Sequence, residues 1–359
     1  MGGFTFQPSL PGPLSSVSDL PMRALAWMCC LAFVLGGCKS RQSDFDLEIV
    51  MYDSLGGESG FGTKVIQNFE KECQCKIKKT LVSDASQINS HLHLLQQSSR
   101  PLPHLVMGHD QHLWLNLKEV VNLKADWNPK AWPLIPPHLK VEDGFFPFDY
   151  SVFSFVADEN KLKHCGLEKP KSLTDLLKPE WKKKFIIQDP RSSSPGYGFL
   201  MTSKQIMGDE WLSFWKSLKG QWLTMTSSWD QAYALFLEGE APLVWSYISS
   251  EAYHIHEGDL MKKAIPFEQG SALQIEGISI VDSPTLTPQA LVLAQDFIDF
   301  VLSPSTQSLI PETQWMFPVL PTTLPPSFSR LSMPASETLK STPTKPDEIL
   351  KLWRENLSL

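Results

Sequence analysis

Between residues 47 and 108 the chain alternates short apolar runs with amphipathic ones, and that alternation restricts it to one broad class of fold. Leu47–Tyr52 is an apolar run of strand length. Phe61–Glu72 places Val65, Ile66 and Phe69 on one face at helical spacing. Lys76–Val82 reads as a strand with Ile77 and Leu81 inward, Gln87–Gln97 as a helix and His104–Gly108 as a short buried strand. Strands separated by helices are expected to pair in parallel through right-handed crossovers, so the fold class is α/β.

The pattern resumes downstream. Phe145–Val156 is a long β-rich segment expected to cross between two lobes. Ser172 and Asp175 have capping-box spacing ahead of Leu176 and Leu177. Phe185–Ile187 reads as a strand, and after a Ser-rich loop a helical pattern begins near Gly198. Thr287 and Pro288 form an N-cap and first-turn pair for a helix reaching about Leu302. Residues 321–346 are rich in Pro, Ser and Thr and are expected to be irregular, with a last helix from about Asp347 to Asn356.

Five polar clusters follow predicted strands: Tyr52-Asp53-Ser54, Ser83-Asp84-Ala85, Gly108-His109-Asp110, the loop from Gln188, and Ser246-Tyr247. In open parallel sheets ligands bind at the carboxyl ends of strands, so their coincidence points to one cleft. Loop polarity alone accounts for any single cluster. Trp229, Tyr247 and Tyr253 lie in the same stretch of chain. Any one of them alone reads as a core residue. Together, beside serines, they suit a flat, polar, cationic molecule. Stacking is worth about 0.5–1.5 kcal/mol per ring pair, and a cation over a ring about 0.5–2 kcal/mol.

Other chemistries find less support. The formal charge of −7 argues against a nucleic-acid partner and suits a cation. The Gly-rich run 56–64 lacks the Gly-Lys-Ser/Thr order of a phosphate loop. The pairs His91/His93 and His254/His256 are two residues apart, which splays the rings on a helix, so no metal site is expected. His109 and His112 are expected at the surface or behind the ligand contacts. Cys73 and Cys75 do not have zinc spacing, and a small disulfide or two free thiols both stay open. Cys165 follows Lys163-His164 in an expected surface loop without a partner base, so no catalytic residue is assigned.

Residues 24–35 are an apolar run suited to a signal peptide and too short to span a bilayer. Gly36-Gly37-Cys38 after it resembles a bacterial lipobox, with Cys38 lipidated as the mature N-terminus. The expected layout is an upstream extension and signal peptide over 1–37, with Met22 as initiator, and a tether over 38–45.

The stretches 51–54, 68–75, 146–150, 187–191, 193–198, 229–239, 246–247, 252–255 and 314–318 together resemble the thiamine-binding proteins of bacterial thiamine ABC importers. The resemblance covers 46–359 and implies a type II periplasmic binding protein, two α/β lobes closing over a ligand at a hinge. The first lobe would take 46–148, the second 149–265, and 266–359 would return to the first. The resemblance further implies a substrate-binding protein in the periplasm or cell envelope; a monomer is expected, and the lipobox adds the expectation of a lipid anchor. The protein would hold no cofactor and pass thiamine to a permease and its ATPase. The mono- and diphosphates of thiamine are further candidate ligands. By motif position it implies ligand contacts at Asp84, Ser193, Ser194, Trp229, Tyr247, Ile248, Ser249, Ser250 and Tyr253. The strand-end clusters add Asp53, Ser54, Ser83, Ala85 and Asp110. Ala85 stands where the family often has Gly, and the chain after Ser54 is more Gly-rich than its pattern. The Ser192–Gly196 loop ahead of a helix could form an anion nest for a hydroxyl or phosphate. Two alternatives stay open: a binder of iron or a polyamine, and a thiaminase-like enzyme. The latter fold carries a cleft Cys where this chain has Asp149.

Overall fold

The computed structural model describes residues 45–265, 267, 269–331 and 346–357. The lipobox and Cys38 lie outside the described residues. Among the described residues ten strands form one sheet: β1 Leu47–Tyr52, β2 Ile77–Val82, β3 Leu105–Asp110, β4 Phe146–Asp158, β5 Phe185–Gln188, β6 Thr224–Thr226, β7 Leu243–Tyr247, β8 Lys262–Ile265, β9 Leu273–Ile280 and β10 Phe317–Pro318. Their order is β2-β1-β3-β9-β4-β7-β5-β6, with β8 and β10 both paired to β4.

The sheet has two halves joined through β4. In the first, β1 runs parallel to β2 and β3; in the second, β5 runs parallel to β6 and β7. β4 is long enough to serve both. Its residues Phe146–Val152 pair with β9, and Phe153–Ala157 pair with β7. β9 is antiparallel to both β3 and β4, so the sheet is mixed rather than all parallel. Chain segments passing between lobes in opposite directions lie side by side, and that produces the antiparallel centre. The expectation of two α/β lobes with a crossing segment near 145–156 matches this architecture.

Most of the predicted elements form. The helix Phe61–Cys73 buries Val65, Ile66 and Phe69. Ser172 and Asp175 make both bonds of a capping box, although the turn they start is 3₁₀. The Thr287 hydroxyl accepts from the Ala290 amide and starts the helix Pro288–Val301. Cys73 and Cys75 form a disulfide around Gln74, whose φ of 54° ends the first long helix.

Three expectations need correction. Leu81 is exposed, because β2 is an edge strand whose outer face is only partly covered. β3 extends to Asp110 through a bulge at Gly108 (φ 84°), so His109 and Asp110 end the strand instead of following it. Of the two places expected for His109 and His112, the surface or behind the ligand contacts, the structure shows the buried one, and His109 stacks on Trp114. The helix expected near Gly198 begins at Ser194 and runs to Met207. Pro195 is tolerated in its first turn, where no N–H is needed. Its glycines read as loop signals but serve packing. A Cβ at Gly196 would come within 2.7 Å of the Gln188 and Asp189 carbonyls, and one at Gly198 would strike the Phe153 ring.

Candidate functional site

A cavity of about 420 Å³ opens between the ends of β1 and β7, the first half of β9 and the turn 313–316. That volume is in the range of small-molecule sites. Its wall is aromatic. Trp229 opens the helix Trp229–Glu238, whose N-cap is Ser228. Tyr233, one turn on, shares its face and stacks on it at 4.8 Å with planes 22° apart. The Trp229 indole N–H donates to Ser246 Oγ at 2.8 Å, which bonds Ser250 Oγ at 2.8 Å. Tyr247, the last residue of β7, stacks on Phe153 at 5.2 Å and donates its hydroxyl to Gln274 at 3.2 Å. Tyr253 meets Trp315 edge-on at 5.3 Å. Trp315 sits at φ 56°, a left-handed conformation unusual for a bulky residue.

The floor is polar and acidic. Tyr52 donates its hydroxyl to the Glu276 carboxylate, at 2.8 Å to Oε2. The Gln274 amide donates to Glu276 Oε1 at 2.9 Å, and the Gln314 amide to Tyr52 Oη at 2.6 Å. Burial pushes the Glu276 carboxyl up to about 8 and the Tyr52 hydroxyl above its ordinary value. Asp84 and Asp230 also line the cavity, whereas no Lys, Arg or His does among the described residues. Burial raises Asp84 to about 6, against the lowering effect of the Ser194 and Ser86 amides. Burial also raises Asp230, with Asp53 beside it adding repulsion.

The expected residues divide accordingly. Ser54, Ser83, Asp84, Ala85, Ser194, Trp229, Tyr247, Ser250 and Tyr253 line the cavity. Asp53, Asp110, Ser193, Ile248 and Ser249 do not. Asp53 is an exposed first residue of the turn Asp53–Gly56. Asp110 turns inward, accepting from the His112 and Leu113 amides at 2.8 and 2.9 Å and from the Ser194 hydroxyl. Ser193 and Ile248 are fully buried, and Ser249 bonds Ser151 on β4 at 2.7 Å.

The Ser-rich nest is filled from within the protein. Ser194 N–H, at the start of its helix, donates to Asp84 Oδ1 at 2.9 Å, and Ser86 Oγ donates to the Ser192 carbonyl at 2.6 Å. Asp84 takes the place that a ligand anion would need. Asp230, Tyr233, Gln274, Glu276, Gln314 and Trp315 also line the cavity and were not among the expected contacts. Tyr233 was legible from its spacing to Trp229. The approach of Trp315 depends on a turn conformation that its sequence does not announce.

Residues 101–335 match the family of bacterial extracellular solute-binding proteins. The thiamine-binding periplasmic protein of Brucella abortus biovar 1 is 35% identical over 336 residues, covering 92% of this chain and 97% of that protein. The thiamine-binding periplasmic protein of Escherichia coli K12 is 36% identical over 308 residues, covering 86% and 90%. A solved structure described as a periplasmic thiamin binding protein superposes with a TM-score of 0.78 at 33% identity, covering 87% of this chain and 96% of the other. The fold extends to the fructose-6-phosphate-bound periplasmic binding protein AfuA from Actinobacillus pleuropneumoniae, with a TM-score of 0.72 at 18% identity. This chain belongs to the bacterial extracellular solute-binding proteins.

Proposed function

We propose that this solute-binding protein captures thiamine in the periplasm and delivers it to an ABC importer made of a permease and its ATPase. One observation carries the reading: aromatic rings and carboxylates line the cavity, with no cationic side chain among the described lining residues. Thiamine combines two flat rings with a permanent positive charge. Its rings suit Trp229, Tyr233, Tyr247, Tyr253 and Trp315, and its charge suits Glu276, Asp84 and Asp230. The names of the relatives point the same way.

Thiamine mono- and diphosphate enter the proposal as weaker ligands. The helix start that could meet a phosphate already receives the Asp84 carboxylate. Ser194 acts on the ligand through Asp84 and Asp110 in this reading, and Ser193 as the residue that precedes its helix. We also propose that Cys38 carries a lipid anchor, that the protein acts as a monomer, and that the lobes divide near 148 and 265. The iron reading is less favoured, since among the described residues no three His, Cys, Asp or Glu group as metal ligands would. The thiaminase-like reading would need a Cys in the cavity, whereas Cys165 is exposed on another helix.

Mass spectrometry of ligand released on denaturing the purified protein, followed by calorimetry with thiamine, tests the assignment. Thiamine in the released fraction and saturable binding are expected. No thiamine released and no heat of binding would refute it.

A further inference from the structure

Glu276 lies under the aromatic wall with 4% of its surface exposed, and no base is set against it. The titratable groups facing it come from several elements. They are Tyr52 on β1, Asp110 on β3, Asp149 on β4 and Tyr247 on β7, while Asp84 after β2 lines the same cavity. Burial lowers the His112 imidazole, against the raising effect of Asp110 beside it. None of these carboxylates takes part in an ion pair among the described residues.

Asp149 is the decisive neighbour. It pairs across the β4–β9 ladder with Glu276, is wholly buried, and neither of its carboxyl oxygens has a hydrogen-bond partner among the described residues. Two buried carboxylates side by side, without a counter-charge, cannot both ionise at modest cost. Glu276 is the member that reaches the cavity, and three donors already orient it.

We propose that Glu276 and Asp149 retain a proton between them while the cavity is empty, and that a cationic ligand displaces it, so that Glu276 becomes the counter-charge that selects a cation. In the exchange the carboxyl O–H bond breaks, its electron pair stays on the carboxylate, and the proton leaves to solvent. The positive charge of the ligand replaces that of the proton, so the cavity keeps its net charge. The exchange explains how a buried acidic floor is tolerated without a basic side chain. It also gives selectivity, because a neutral molecule of the same shape cannot supply the missing charge.

Burial, then the charge of Glu276, raises Asp149 well above the carboxylate range, and Glu276 is raised to about 8. A cation lowers the proton affinity of the pair. Below about pH 8 binding therefore releases a proton and tightens as pH rises; above it, release stops and affinity levels off.

The inference rests on the thiamine reading, and the experiment separates the two. Thiamine binding to the full chain is measured by calorimetry in buffers of different ionisation enthalpy, across pH, for wild type, Glu276→Gln and Asp149→Asn. Infrared spectra of the ligand-free proteins follow the protonated-carboxyl band. Expected is release approaching about one proton per thiamine below pH 8 in wild type, with affinity gaining up to about tenfold per pH unit. Glu276→Gln should bind more weakly, with proton release and pH dependence lost above about pH 6, where Asp84 is already largely ionised. Asp149→Asn should move release to lower pH, because the repelling neighbour is gone. In the infrared, a protonated-carboxyl band should be present in ligand-free wild type and lost or shifted in each variant. Thiamine binding with equal heats in all buffers at every pH would overturn the proton exchange alone. A ligand-free infrared spectrum that neither substitution alters would overturn it whether or not thiamine binds. No thiamine binding, with the infrared band present, would overturn the ligand assignment while leaving the buried proton in place.

Discussion

At the scale of single residues, the cavity is a set of rings whose polar ends are fixed. Trp229 is held by its bond to Ser246, Tyr247 by Gln274, and Tyr233 by a 2.8 Å bond to His254. The rings meet a ligand already oriented, so little freedom is lost on binding. Removing one should cost about 1–3 kcal/mol, or about 5- to 150-fold in thiamine affinity. Trp229→Ala and Trp315→Ala, measured by calorimetry after circular dichroism shows them folded, should both show this loss. Wild-type affinity in both would remove the cage. The buried acids make a separate prediction for the empty protein. Burial raises Glu276 from 4.5 to about 8 and Asp84 from 3.8 to about 6. The folded state therefore holds protons that the unfolded chain releases at lower pH. The stability this contributes is complete below the unfolded values and is lost as pH rises through the folded ones. Thermal midpoints of the ligand-free protein should fall as pH rises towards 8, and Glu276→Gln should fall less. A parallel pH profile for the two proteins would exclude Glu276 as the group responsible.

At the scale of elements, the helix Ser194–Met207 couples packing to the site. Its N-terminal amide is satisfied by Asp84, which comes from the loop after β2. Replacing such a cap costs about 0.5–2 kcal/mol, so Asp84→Ala should lower the thermal midpoint and weaken thiamine binding together. A variant with unchanged stability would mean that the cap contributes nothing. Gly198 on the same helix lies against Phe153, which in turn stacks on Tyr247. Alanine would gain roughly 1 kcal/mol of helix propensity there. The clash with a fully buried ring costs more, about 1–3 kcal/mol for overpacking a core. Gly198→Ala should therefore destabilise the protein and disturb Tyr247. An increase in thermal midpoint would show that the ring moves aside freely. Gly196 and Gly198 explain why the sequence suggests a later helix start: in sequence a run of Ser, Pro and Gly looks like a loop, and only the neighbouring strands show why side chains are excluded.

At the scale of the molecule, β4 and β9 tie the two halves of the sheet together, and the pairing of β4 passes from β9 to β7 between Val152 and Phe153. The cavity draws on both halves, with Tyr52, Asp84 and Glu276 from the first and Trp229, Tyr247 and Tyr253 from the second. A ligand held by both should draw them together. Small-angle scattering should show a smaller radius of gyration once thiamine is added, and an unchanged curve at saturation would exclude closure. Lipidation is separable from binding in this proposal. Cys38→Ala should accumulate as unprocessed precursor while its purified form binds thiamine like wild type. Normal processing of that variant would exclude Cys38 as the lipidated residue.

The sequence by itself determined the α/β class, the boundaries of β1 and of most long helices, and the aromatic character of the site. These follow from short-range rules: hydrophobic period, caps, and the position of polar residues after strands. It carried the positions of Trp229, Tyr247 and Tyr253, but not which way each neighbour faces. Only the tertiary structure turned Asp110 and Ser249 inward, filled the Ser-rich nest with Asp84, and brought Trp315 against Tyr253. It alone placed Asp149 opposite Glu276 across 127 residues of chain. Such contacts depend on strand register and on the direction of the crossing strands, which residue patterns within one segment do not encode.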